Sequence, residues 1–128
     1  MREHKYRGFN KKEGWTFGDL VHRINEACIY FYAADGEKCL WGVDPESVGE
    51  YTGIHDSKRT EEYPEGQPIY EGDILLDSGE YHSPVMWSAE YAGWFVQTYD
   101  GPEPLYELAE IFVVGNIYEN PELLKEGD

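Results

Sequence analysis

What most constrains this chain is its punctuation: apolar residues come in short runs, and each run is closed by a turn former. The longest unbroken run spans Ala27 to Ala34, far short of the about 20 residues that a membrane-crossing helix needs. The runs alternate with Gly, Pro, Asp and Asn at intervals that suit strands. Asp35-Gly36 is the strongest of these signals and predicts a hairpin over Cys28 to Val43, closed by a two-residue turn. With Ala34 opposite Glu37, Cys39 falls opposite Tyr32 and Cys28 opposite Val43. That register puts Ile29, Phe31, Ala33 and Leu40 on one face, a conventional core surface. Cys28, Tyr30, Tyr32, Cys39 and Trp41 take the other, with the two sulfurs too far apart along it to bridge. A sheet apolar on both sides is either sandwiched or turned toward a partner. Tyr30, Tyr32 and Trp41 are therefore the candidate partner-binding residues, self-association included.

The same reading extends along the chain. Residues 4–9 form a short strand. Gly14 to Ile24 alternates, with Trp15, Phe17 and Val21 on one side and Thr16 and His22 on the other. Asp19 lies on the aromatic side, which cannot be wholly buried unless the carboxylate finds partners. Asp44-Pro45-Glu46-Ser47 is a turn, because Pro45 donates to no ladder. His55 to Pro68 is polar and reads as a long surface loop, a kind that is either mobile or functional. Strands follow over Asp73 to Asp77, Val85 to Ala89 and Trp94 to Thr98, separated by turns at Ser78-Gly79 and Ala92-Gly93. Gly101-Pro102-Glu103-Pro104 breaks the chain, and Leu105 to Glu110 suits one helical turn. Ile111 to Tyr118 suits a central strand, after which Asn120 caps a short helical turn opened by Pro121. Many short strands with regular turns predict a small barrel or sandwich.

Charge divides the 128 residues unevenly. Residues 1–64 carry 9 Lys/Arg and 12 Asp/Glu, whereas residues 65–128 carry Lys125 alone against 14 acidic residues. Polyanions are bound by Lys and Arg that displace their counterions, so the second half is unsuited to nucleic acid. Arg2, Lys5, Arg7, Lys11 and Lys12 cluster at the start. They read as a lysine-blunted edge strand or as a basic arm that pairs with an acidic surface or a nucleic acid. The charged opening leads into no apolar segment of the secretory type, and the expectation is an intracellular protein.

Chemistry leaves little trace. His4, His22, His55 and His82 are scattered, none at helical i, i+4 spacing with another. Only His82, five residues after Asp77, suggests even a weak metal site. Carboxylate pairs such as Glu71/Asp73 and Asp77/Glu80 are what chance gives in so acidic a chain. No Gly-x-Ser-x-Gly, Gly-x-Gly-x-x-Gly or phosphate-binding loop occurs. The expectation is a non-catalytic protein without a cofactor.

Three stretches carry a recognisable pattern. Tyr51-Thr52-Gly53 leads, after the loop, to Ile69-Tyr70-Glu71-Gly72-Asp73. The chain then closes on Gly115-Asn116-Ile117-Tyr118-Glu119-Asn120-Pro121-Glu122-Leu123. This pattern resembles the YopX family of small phage and prophage proteins, and the likeness spans essentially the whole chain. The loop between Gly53 and Ile69 is longer than the family's usual connection. The resemblance implies a mainly β fold, with an N-terminal β portion over residues 1–50 and an SH3-like β-barrel (a β-roll) over 51–128 that carries the extended loop 55–68. It also implies a phage or prophage protein in the cytoplasm of a bacterial host, and supplies no catalytic residue. The motif residues Tyr51, Gly53, Tyr70, Glu71, Gly72, Asp73, Gly115, Asn116, Tyr118, Asn120 and Pro121 have structural explanations, such as a glycine conformation other residues resist. The functional expectation is an accessory protein that binds another, basic protein. Nucleic-acid binding through the N-terminal arm, or nucleic-acid mimicry by the acidic barrel, is the alternative.

Overall fold

The computed structural model describes residues 5–77, 81–98, 100–108 and 110–124. The protein is mainly β, with short 3-10 turns and, among the described residues, no α-helix. The predicted turn at Ser78-Gly79, along with Arg2, His4, Glu80, Ala109 and Lys125, lies outside the described residues. Two units divide the chain, Met1–Tyr51 and Thr52–Asp128.

The first unit is a run of antiparallel hairpins: β1 (Tyr6–Asn10), β2 (Gly14–Arg23), β3 (Glu26–Tyr32) and β4 (Lys38–Val43), in spatial order β4-β3-β2-β1. A further strand, β5 (Gly49–His55), begins beside β1, with Gly49 opposite Arg7, and continues into the second unit. Ala27, Ile29 and Val43 form the core, packed by Tyr6, Leu20, Phe31 and Val48. The sheet curls until β1 reaches the end of β4, where the Asp44 amide donates to the Phe9 carbonyl at 2.9 Å. The Asn10 side chain likewise donates to the Gly42 carbonyl at 2.7 Å. The predicted turn after Val43 is a 3-10 turn over Pro45–Ser47, capped by the Asp44 carboxylate. Buried Ser47 ties it back, its hydroxyl accepting from the Phe9 amide at 2.7 Å.

The β3–β4 register differs from the expectation by one residue. Ile29 stands opposite Trp41, Phe31 opposite Cys39 and Tyr30 opposite Leu40. The cause lies in the turn. A two-residue hairpin loop of the Asp-Gly kind needs positive φ at both central residues. Only Gly36, at φ 86°, adopts it; Asp35 does not. Ala33 therefore pairs with Glu37 across a three-residue loop, its amide donating to the Glu37 carbonyl at 2.8 Å. A one-residue slip moves an entire strand's side chains to the opposite face. Trp41 and Cys39 consequently join Ile29 and Phe31, and Leu40 joins Tyr30 and Tyr32. Cys28 and Cys39, both free thiols, lie on opposite faces, not on the shared face the sequence suggested.

Burial separates the two thiols chemically. Cys28 is buried, and desolvation together with the neighbouring Glu26 carboxylate pushes its pKa up, whereas Cys39 is partly exposed. Thiolate is the nucleophile, so iodoacetamide at pH 8 is expected to label Cys39 at least about tenfold faster than Cys28. Peptide mass spectrometry over a time course reads the two rates, and equal rates would contradict this packing.

The second unit holds the end of β5, then β6 (Pro68–Tyr70), β7 (Asp73–Asp77), β8 (His82–Pro84), β9 (Met86–Ser88), β10 (Gly93–Thr98), β11 (Gly101–Pro104) and β12 (Ile111–Asn116). Two three-stranded antiparallel sheets result, in orders β12-β7-β8 and β11-β10-β9. Ile69, Leu75, Val85, Val96, Leu105 and Ile111 form the core. The expected barrel is not closed. The strand expected over Val85 to Ala89 is present as the shorter β9, Met86–Ser88, and β8, which ends just before Val85, belongs to the other sheet. Val85 itself is buried at the junction, and its amide donates to the Asp73 carbonyl at 2.8 Å.

Two further expectations change. Gly101-Pro102-Glu103-Pro104 is a strand, not a break, at the edge of its sheet. Prolines spaced by two turn both missing donors the same way, which an edge strand tolerates. The strand Ile111–Asn116 is also at an edge, not central. Loop residues cover that edge: the Ser57 amide donates to the Ile111 carbonyl at 2.8 Å, and the Asp56 carboxylate accepts from the Val113 amide at 3.1 Å. The long loop thus fills the place of a strand that the sheet lacks.

Candidate protein-docking surfaces

The residues of the recognisable pattern mostly hold backbone in place. At Tyr70-Glu71-Gly72-Asp73 the chain reverses between β6 and β7, with Gly72 at φ 91°. Asp73 is 1% exposed, and its carboxylate accepts from the Tyr70 amide at 2.8 Å. The Gly72 carbonyl accepts from the Ile117 amide at 2.8 Å, linking this turn to the closing stretch. There, the Asn120 side chain accepts from the Asn116 amide at 3.2 Å, and the Asn116 carbonyl accepts from the Asn120 amide at 2.8 Å. Gly115 leaves room for this pairing, since a Cβ there would meet Asn120 Oδ1 at 2.6 Å. Asn120 therefore precedes the 3-10 turn Pro121–Leu124 as expected, but its oxygen turns back to Asn116 instead of forward into the turn. Tyr51 joins the first unit's sheet through its amide, which donates to the Lys5 carbonyl, and Gly53 takes φ 85°. Glu71 and Tyr118 are partly buried beside these turns.

The predicted aromatic face is divided by the register. Tyr30 and Tyr32 meet edge to face at 5.7 Å, with their hydroxyls 3.4 Å apart. That hydrogen bond raises the pKa of Tyr32. Trp41 instead stacks edge to face on Phe31 at 4.8 Å, on the core side. Leu40 and Phe17 complete the outer surface with Tyr32, and all three are exposed.

The basic arm is also dispersed. Arg7 is buried in β1, its guanidinium 4.8 Å from the centre of the Trp15 ring. Lys11 and Lys12 are exposed in the β1–β2 turn, beside an open cleft also lined by Glu26 and Asp44. Carboxylates beside the lysines oppose a polyanion there. Asp77 and His82 belong to no cluster among the described residues, where no group of three or more His, Cys, Asp or Glu poised for a metal occurs.

A surface that the sequence reading missed lies in the second unit. Phe95 stands opposite Pro104 in the β10–β11 register, and beyond them opens a groove of about 520 Å³. Trp94 and Pro102 line it with them, while Tyr91 and Tyr106 form its rims, 66% and 74% exposed. Beside it Trp87, half exposed, packs edge to face on Trp94 at 5.1 Å. The wall includes Ala92 at φ 52°, a left-handed conformation that costs a non-glycine residue about 1–2 kcal/mol. Such strain tends to gather at ligand clamps. Glu103 lines the groove, and Glu90 and Glu107 adjoin the rim tyrosines in sequence. The available signal was the Gly-Pro-Glu-Pro segment flanked by Trp94-Phe95 and Tyr106, visible only once that segment is read as a strand.

Open antiparallel sheets, turn-building motifs and an aromatic groove define a small β protein whose recognisable residues build structure. The chain belongs to the YopX protein family, which it matches over residues 1–125. No curated protein matches it. No helix among the described residues is long and apolar enough to cross a membrane.

Proposed function

We propose that this protein is a non-catalytic accessory protein, of phage or prophage type, that binds a basic protein through its second unit. The observation that carries this reading is the groove of exposed aromatic rings set in a sequence half that holds one basic residue against 14 acidic ones. Exposed tyrosine and tryptophan supply apolar area with few rotatable bonds, which is why they dominate binding hot spots. The surrounding carboxylates repel polyanions and steer cationic partners. The groove replaces Tyr30, Tyr32 and Trp41 as the leading surface, because Trp41 packs inward. Binding of nucleic acid through the basic arm is not favoured, since Arg7 is engaged within the sheet.

The test is a pull-down from bacterial lysate at low and high salt, with the full chain and with Tyr91→Ser/Tyr106→Ser. A basic protein held at low salt, released at high salt and lost with the double variant is the expected result. Retention that ignores both salt and the tyrosines would overturn the reading.

A further inference from the structure

We infer that the groove between Tyr91 and Tyr106 takes an extended, proline-containing basic segment of the partner, an inference that rests on the protein-binding reading above. Three features of the groove select this occupant. The first is its edge. β11 is an outer strand, and Pro102 and Pro104 remove the donors that a docking β-strand would need. Strand addition, which draws affinity from main-chain hydrogen bonds, is thereby disfavoured.

The second is the lining. Rings and prolines present flat, rigid apolar surfaces: Phe95 against Pro104 at the base, Tyr91 and Tyr106 at the rims. Aromatic-lined grooves of this kind suit polyproline II segments. These are already extended, lose little entropy on binding and need no ladder of backbone hydrogen bonds.

The third is polarity. Glu103 belongs to the lining with the two tyrosines, Glu90 and Glu107 adjoin those tyrosines in sequence, and no lysine or arginine among the described residues lines the groove. A ligand that satisfies these acceptors must bring donors on its side chains. Arginine does so with five N–H groups and a permanent positive charge. Proline spacing with arginine flanks meets all three conditions.

The experiment uses the full chain and three synthetic peptides of equal length. One alternates Pro and Arg, one has Ser in place of every Pro, and one has Glu in place of every Arg. Tryptophan fluorescence titration reads binding through Trp94. The Pro/Arg peptide is expected to bind at least about tenfold tighter than the Ser/Arg peptide, with no binding by the Pro/Glu peptide. Tyr91→Ser/Tyr106→Ser is expected to weaken Pro/Arg binding about tenfold. Both side chains are largely exposed, so the variant keeps its fold, which an unchanged far-ultraviolet spectrum verifies.

Equal binding of the Pro/Arg and Ser/Arg peptides would overturn the inference by showing simple cation attraction, while the protein-binding reading stood. Failure of the Pro/Arg peptide alongside a tyrosine-dependent pull-down would also sink the inference alone. If a second copy fills the groove, sedimentation shows a dimer that the double variant dissolves, and the inference again falls. Loss of both the peptide binding and the tyrosine-dependent capture would remove both.

Discussion

Asp56→Ala is expected to lower the unfolding free energy by about 3 kcal/mol, the loss of an acceptor shared by three backbone donors. Asp56 is 7% exposed. One carboxylate oxygen accepts from the Gln67 amide at 2.8 Å and the Lys58 amide at 3.2 Å. The other accepts from the Val113 amide at 3.1 Å. Leaving a buried donor unsatisfied costs about 1–3 kcal/mol; because the three donors are only partly shielded, the sum falls at the low end of the combined range. Asp56→Asn keeps one acceptor and is expected to lose roughly half as much. Urea denaturation measures the change, and amide exchange at Gln67 and Val113 locates it. A loss below about 0.5 kcal/mol, the ordinary scale of a surface substitution, would show that the loop does not cover β12.

Gly18→Ala is expected to destabilise the first unit by about 3 kcal/mol, at the upper end of the usual overpacking penalty. A Cβ at this position in β2 would run into the Tyr30 backbone carbonyl and approach Ile29 Cγ2 at 3.0 Å. Neither is the flexible end of a long side chain. Relief requires β2 and β3 to part, which disturbs the core around Ile29. Gly42→Ala is the internal control: its Cβ would meet only the Glu26 carboxylate, at 3.7 Å. That change is expected to stay within about 0.5 kcal/mol. Thermal melts of the pair, read by near-ultraviolet circular dichroism, decide the matter. Similar melting temperatures for both variants would mean that the curl of the sheet does not depend on Gly18.

The contrast between these sites shows which parts of the fold were legible. Strand locations were, because alternation and turn formers are local: Asp73 to Asp77 was read as it stands, and Trp94 to Thr98 lacks only Gly93. The hairpin at Asp35-Gly36 was placed correctly but misregistered. Both loop lengths use the same residues and differ only in whether Asp35 also turns left-handed. That single dihedral sent Trp41 to the core side and removed it from the predicted binding face. The loop's bounds were visible in its polarity, yet its fastening was not. Asp56 and Ser57 meet Ile111 and Val113 more than fifty positions later, and a side chain capping a distant edge leaves no periodicity. The groove was hidden for a related reason. Prolines normally argue against a strand, and only pairing with β10 places Phe95 opposite Pro104.

Because the Asp56 amide donates to the Gln67 carbonyl at 2.9 Å, the stretch between those residues is closed at its neck, independently of its span. Enlarging such a closed segment adds only about 0.6 kcal/mol of chain entropy for each doubling. The fold therefore tolerates great variation in length here, provided Asp56, Ser57 and Gln67 keep their places. The tip near Glu61-Glu62 is a natural position at which to insert an epitope or a fluorescent reporter without disturbing the sheets.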